Sequence, residues 1–186
     1  DGQRPVTRGV STGLAEARYG EYSTDVMQGM ENTIEARVVE ICRERKQTLV
    51  TAESCTGGLV ACRITSVPGA SDIYLGSVVS YANAVKCGML GVTPEILARD
   101  GAVSAVCAEA MACGVRERLG ADLAVAVTGV AGPDGGTLQK PVGLVFLAVA
   151  TTAGVRSEAC RFGGNRAEVR MRAADRALTL VLESLG

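Results

Sequence analysis

The 186-residue chain sets 19 Lys and Arg against 20 Asp and Glu and is 47% hydrophobic, a balance that fits a folded globular chain and excludes both a disordered polyelectrolyte and the basic surface that nucleic acid demands. It contains no histidine, which removes the Ser-His-Asp triad, the Cys-His dyad and the histidine zinc motifs, and leaves Lys, Tyr, Asp, Glu or Cys to move protons. With no tryptophan and 3% aromatic residues, it offers no stacking platform for single strands, so small-molecule chemistry is the class that survives.

Residues 1–23 hold Gly2, Pro5, Gly9, Gly13 and Gly20 without a sustained apolar period and read as an N-terminal arm, which leaves 24–186 as one domain. Val26, Met30, Ile34, Val38 and Ile41 recur at helical spacing and predict a helix from residue 24, capped by Thr24 or Asp25, to about residue 46. The β-branched run 48–52 predicts a buried strand, and loop 53–58 opens a second helix ending near Thr65. Pro68 and Gly69 break that helix, and residues 73–82 read as the second strand. Residues 94–99 and 105–119 read as helices capped by Thr93 and Ser104. The valine-rich run 122–128 predicts a third strand, 129–140 a glycine-rich loop, 142–150 and 155–162 a hairpin, and the residues after Asn165 a last helix. Helices alternating with strands predict an α/β fold, a three-layer α/β/α sandwich whose mixed, mostly parallel sheet carries an antiparallel hairpin. Ligands in such sheets bind at the carboxyl ends of strands, where Ser54 and Thr128 both fall.

Seven cysteines, an odd number without a CxxC pair, are expected to be reduced and to pack as small buried hydrophobes. No segment reaches the apolar length of a membrane span and no charged-then-apolar leader opens the chain, so a cytoplasmic protein without a membrane partner is expected. No metal-ligand pattern is evident, and neither a metal nor an organic cofactor is expected.

Four segments bear chemistry. Ser-Cys-Thr-Gly-Gly after a strand and before a helix puts hydroxyls and N–H groups where an oxyanion or phosphate is stabilised, and on composition alone it reads equally as a helix cap with a tight turn. Ser80-Tyr81-Ala82-Asn83-Ala84-Val85-Lys86 holds a lysine that, once desolvated, can activate a serine, although a lone lysine is more often a surface residue. Residues 128–136 form a glycine loop able to approach a ligand closely, with neither Walker nor dinucleotide spacing. Gly163-Gly164-Asn165-Arg166 could present an arginine to a phosphate, and unaided it reads as a surface arginine.

The segments TAESCTGG (51–58), SYANAVK (80–86), GAVS (101–104), VTGVAGPDGG (127–136), KPVG (140–143) and GGNR (163–166) resemble the CinA C-terminal domain family, whose stand-alone members are nicotinamide-nucleotide amidohydrolases. The resemblance covers residues 25–185 in order. It implies hydrolysis of nicotinamide mononucleotide to nicotinate mononucleotide and ammonia, with Ser54 as nucleophile, Lys86 as its base and Tyr81 assisting proton transfer. Ser71, Thr128 and Arg166 match further polar positions of the family site, and backbone donors are expected from Thr56, Gly57 and Gly132. The scheme it implies has helix-start N–H groups holding the oxyanion and Arg166 holding the phosphate. A homodimer is expected on the same ground. The alternative is a non-catalytic nucleotide-binding module, since the family also occurs fused to a second domain and is associated with competence and DNA damage.

Overall fold

The structure is a computed structural model that describes residues 33–186. In chain order, helix α1 (Ile34–Glu44) leads to strand β1 (Leu49–Glu53), α2 (Leu59–Thr65), a 3-10 turn (Ala70–Asp72), β2 (Tyr74–Val79), α3 (Asn83–Leu90), α4 (Pro94–Arg99), α5 (Ala105–Leu119), β3 (Leu123–Gly129), β4 (Leu144–Thr151), β5 (Gly154–Arg161) and α6 (Arg166–Leu185). The sheet order is β2-β1-β3-β4-β5. Strand β1 pairs in parallel with β2 and β3, while β3 with β4 and β4 with β5 are antiparallel, so β4 alone runs against the other four. This is the α/β sandwich with a mixed, mostly parallel sheet and an antiparallel hairpin.

Both faces of the sheet are covered, and residue size divides them. On one face Leu49, Leu123, Val125, Val127, Val145, Leu147 and Val149 meet the apolar sides of α1, α2 and α6. On the other, Ala52, Ala124, Ala126, Ala148 and Ala150 lie under α5. The alternation in 122–128 is therefore large against small rather than buried against exposed, and the alanines let the 15-residue α5 approach the strands. A bulge in β2 between the partners of Leu49 and Val50 resets the side-chain alternation, so Ser77 shares a face with Thr51.

The caps follow local sequence. Thr93 accepts from the Ile96 amide at 3.4 Å and Ser104 from the Cys107 amide at 3.2 Å. Asn165 and Glu168 form a capping box at the start of α6. Helix α1 starts after Thr33, whose hydroxyl accepts from Ala36; the caps expected at Thr24 or Asp25, the early turns of that helix and the arm 1–23 lie outside the described residues. The strand predicted over 73–82 stops at Val79, because Ser80 and Ala82 turn the chain into α3. All seven cysteines are free. Cys42, Cys55 and Cys107 are buried as expected, but Cys87, Cys113 and Cys160 are only half-buried and Cys62, on the outer side of α2, is exposed, so the expectation of burial is corrected at these four. No helix among the described residues is long and apolar enough to cross a membrane.

Helices α3 and α5 touch at Gly114, where an added Cβ would lie 1.8 Å from the Leu90 carbonyl oxygen. Backbone cannot yield as a flexible side chain does, so Gly114→Ala is expected to cost about 2–3 kcal/mol. Urea denaturation of the variant beside the parent measures it, and an unchanged midpoint would refute the close contact.

Candidate active site

Strands β1, β2 and β3 point the same way, so the loops that leave their carboxyl ends gather at one end of the sheet. Ser54 follows the last residue of β1, and its amide extends the ladder by donating to the Val127 carbonyl at 2.9 Å. Past β2, the Ser80 amide donates to the Glu53 carbonyl at 2.7 Å, which seats the start of α3 against β1. One turn into α3, Lys86 therefore projects inward, 1% exposed. Its Nζ lies 3.0 Å from Ser54 Oγ and donates to the Ser80 carbonyl at 2.6 Å. No carboxylate pairs with it among the described residues. Burial holds the Lys86 ammonium below the ordinary lysine pKa of 10.5, because a charge removed from water without a counter-ion favours its neutral form.

Ser54 and Lys86 form part of a cleft of about 300 Å³ together with Tyr81, Asn83, Thr128 and Asp134, a size suited to a small molecule. Thr128 is buried, and its hydroxyl donates to the Ala102 carbonyl at 2.7 Å. The Lys140 ammonium donates to the neighbouring Asp100 carbonyl, so GAVS is clipped from two sides and its Ala102 and Val103 form a wall. At the mouth, Arg166 donates to the Gly132 carbonyl at 2.8 Å and to the Tyr81 hydroxyl at 2.9 Å. Tyr81 is 63% exposed. A wider groove of about 600 Å³ between α3 and α5 is lined by Met89, Cys113, Glu117 and Arg118, and burial pushes the pKa of its Cys113 thiol up, away from the thiolate. Among the described residues no cluster of three or more His, Cys, Asp or Glu could hold a metal.

Comparison with known proteins agrees with this architecture. The model of the CinA C-terminal domain family matches residues 31–185. The chain belongs to this family. It is 48% identical over 157 residues to a CinA-like protein of Geobacter metallireducens, covering 84% of this chain and 37% of that protein. It is 47% identical over 160 residues to a CinA-like protein of Gemmatimonas aurantiaca, covering 86% and 36%. The chain thus spans a little over a third of the length of these curated relatives. Among solved structures, the competence/damage inducible protein CihA from Agrobacterium tumefaciens superposes with a TM-score of 0.80 at 41% identity, covering 84% of this chain and 94% of that one. A competence-damaged protein (CinA) superfamily protein from Klebsiella pneumoniae gives 0.79 at 34%, covering 82% and 95%.

Of the positions singled out in sequence, this CinA domain brings Ser54, Tyr81, Lys86, Thr128, Gly132 and Arg166 to one cleft. Ser71 is not among them. It precedes β2, whose first residue pairs with Leu49 at the far end of β1, and it lines a separate hollow with Thr65, Pro68 and Tyr74; chain order alone could not reveal that it enters the sheet from the opposite end. Gly57 also departs from expectation, since its amide donates to the Ser54 carbonyl at 3.1 Å and is spent on the turn. Thr56 is fully buried, its carbonyl accepting from Arg170 Nη2 at 2.7 Å and its hydroxyl without a partner among the described residues; its amide, the donor expected there, is not one of those taken by Glu53 or the turn.

The helix-start amides are the largest correction. Glu53 Oε2 accepts from the amides of Gly58 at 2.9 Å and Val60 at 3.1 Å, and Oε1 from Ala61 at 2.8 Å. The Leu59 amide donates to the Thr56 carbonyl at 3.3 Å. Every amide from Gly57 to Ala61 is thus engaged within the protein, and none remains for an oxyanion. Sequence reasoning passed over Glu53 as a loop residue; the signal was an acid just ahead of a helix whose N-cap, Gly58, has no side chain. Asn83 and Asp134 at the cleft were also missed, and nothing in their local sequence distinguishes them from surface residues.

Proposed function

We propose that this chain hydrolyses the carboxamide of nicotinamide mononucleotide, releasing nicotinate mononucleotide and ammonia. The observation that carries the reading is Lys86 Nζ, buried without a counter-ion among the described residues, 3.0 Å from Ser54 Oγ. Structural lysines are rarely buried unpaired; a neutral amine beside a hydroxyl is what nucleophilic catalysis without histidine requires. The substrate class comes from the family resemblance of the six motifs.

Lys86 Nζ takes the Ser54 proton as Oγ bonds to the carboxamide carbon. The negative charge that develops on the carbonyl oxygen lies beside the new Lys86 ammonium and the amides of Ala131 and Gly132, which line the cleft. Collapse breaks the C–N bond, Lys86 returns the proton to nitrogen, and ammonia leaves. Water, deprotonated in turn by Lys86, attacks the acyl carbon, and Lys86 returns that proton to Ser54 Oγ as the ester bond breaks and the acid leaves. Arg166 keeps donors beyond those given to Gly132 and Tyr81 and faces the phosphate. Because the Tyr81 oxygen accepts from Arg166, its own proton remains free for the ligand.

Ammonia release from nicotinamide mononucleotide by the purified chain tests the reading. Release that requires Ser54 and Lys86 supports it; binding of the nucleotide without release turns the reading toward a nucleotide-binding module. Arg166→Ala is expected to raise KM about 10- to 100-fold, the worth of a charge-assisted contact, with a smaller change in kcat. An unchanged KM would remove Arg166 from substrate binding.

A further inference from the structure

Two side chains hold the loop that carries Ser54: Arg170 takes the Thr56 carbonyl at 2.7 Å, and Glu53 ties the two ends of the loop together. Glu53 ends β1, is fully buried, and is fixed in the sheet by pairing with Val79 and Val127 on either side. Its carboxylate turns beneath α2 and takes the amides of Gly58, Val60 and Ala61. The four residues between, 54–57, are thus tied at both ends to the same residue, at Ser54 by the peptide bond to Glu53 and at Gly58 by the hold of its carboxylate. Beside it Thr51 Oγ1 lies 3.4 Å from Glu53 Oε1, 2.7 Å from the Tyr74 hydroxyl and 2.8 Å from Ser77 Oγ. This polar row lies between β1 and β2, whose carboxyl ends lead to Ser54 and to the Lys86 helix.

A helix start needs only a cap, and Ser, Thr, Asp or Asn at position 58 would supply one locally. The structure instead has a glycine there, at φ 92°, and reaches back five residues for the acceptor. That choice couples the end of a strand to the first turn of α2 and leaves no slack in the loop between. We propose that Glu53 is a positioning residue whose carboxylate holds Ser54 Oγ in reach of Lys86 Nζ. It does not touch the substrate, since it does not line the cleft. The proposal rests on the reading of Ser54 as the reacting oxygen.

Glu53→Gln keeps the size but turns an NH2 group toward amides that need an acceptor, so the loop must shift. A displacement of about 1 Å at a reacting atom costs about 100-fold in rate. The experiment follows labelling of Ser54 by a fluorophosphonate probe, located by mass spectrometry, with steady-state kinetics and urea denaturation on the same proteins. Val149→Ala, a core change in β4 remote from the cleft, controls for lost stability. The expected result is a wild type labelled at Ser54, and a Glu53→Gln protein in which labelling and kcat fall about 100-fold with KM within about twofold, while Val149→Ala of equal or lower urea midpoint keeps both rates. Glu53→Asp, which keeps the charge one methylene short, is expected to fall between them and serves where Glu53→Gln does not fold. Labelling of Glu53→Gln at the wild-type rate, or an equal loss in Val149→Ala, would overturn the positioning role. A wild type that is folded yet unlabelled at Ser54 would instead overturn the nucleophile reading beneath it.

Discussion

Ser54→Ala is expected to lower kcat for ammonia release by about 10⁴-fold, with KM changed little, because the hydroxyl forms the covalent bond and contributes little to ground-state binding. The substitution removes one acceptor of the Lys86 ammonium and leaves the Ser80 carbonyl at 2.6 Å, so the fold is retained. The Ser54 amide still donates to Val127, which keeps the loop in register. Burst kinetics in the parent and their loss in the variant would tie the effect to an acyl-enzyme rather than to binding. Ammonia release by Ser54→Ala at the parental rate would remove Ser54 from the chemistry altogether.

Lys86→Met is expected to lower kcat by about 10³- to 10⁴-fold and to change how stability depends on pH. Methionine fills a similar unbranched volume, so the comparison isolates the amine. Burial places the folded-state pKa of Lys86 below its unfolded value, near 10.5. Between those two values the unfolded chain binds one more proton than the native one, so the free energy of unfolding rises with pH across that window. This contribution is complete above the unfolded pKa and is lost as pH falls through the folded pKa. Urea denaturation at pH 7 and at pH 10 should therefore show the parent gaining stability relative to Lys86→Met. The same deprotonation predicts an ascending limb in kcat against pH that lies below the ordinary lysine range. A limb at the ordinary lysine value, or parallel stability profiles, would return Lys86 to a structural role.

Much of the fold was legible because its signals are local. Thr93 and Ser104 cap the helices that were predicted after them, since a hydroxyl before an apolar period acts within three residues. The strands of 122–128 and of the hairpin appear within one or two residues of their predicted bounds, because β-branched runs between turns have few other places to go. The candidate site was legible only in part. Ser54, Lys86 and Thr128 were singled out as polar residues at strand ends, and parallel strands bring such ends together. Ser71 was expected at the site on the family resemblance alone; it lies instead before β2, whose first residue pairs with Leu49 at the far end of β1, and lines a separate hollow.

The sequence by itself determined the α/β alternation, the absence of histidine chemistry and the set of loops from which a site had to be built, since periodicity, capping and residue inventory need no partner. Only the tertiary structure decided what the polar groups of those loops do. It buried Lys86 and so lowered its pKa. It gave the α2 amides to Glu53 rather than to a ligand, and it tied Arg166 to Tyr81 across a span of 85 residues. Each of these is a contact between groups distant in sequence or a competition for one donor. Local propensity is blind to both, because their energies depend on desolvation and on which acceptor arrives first in space.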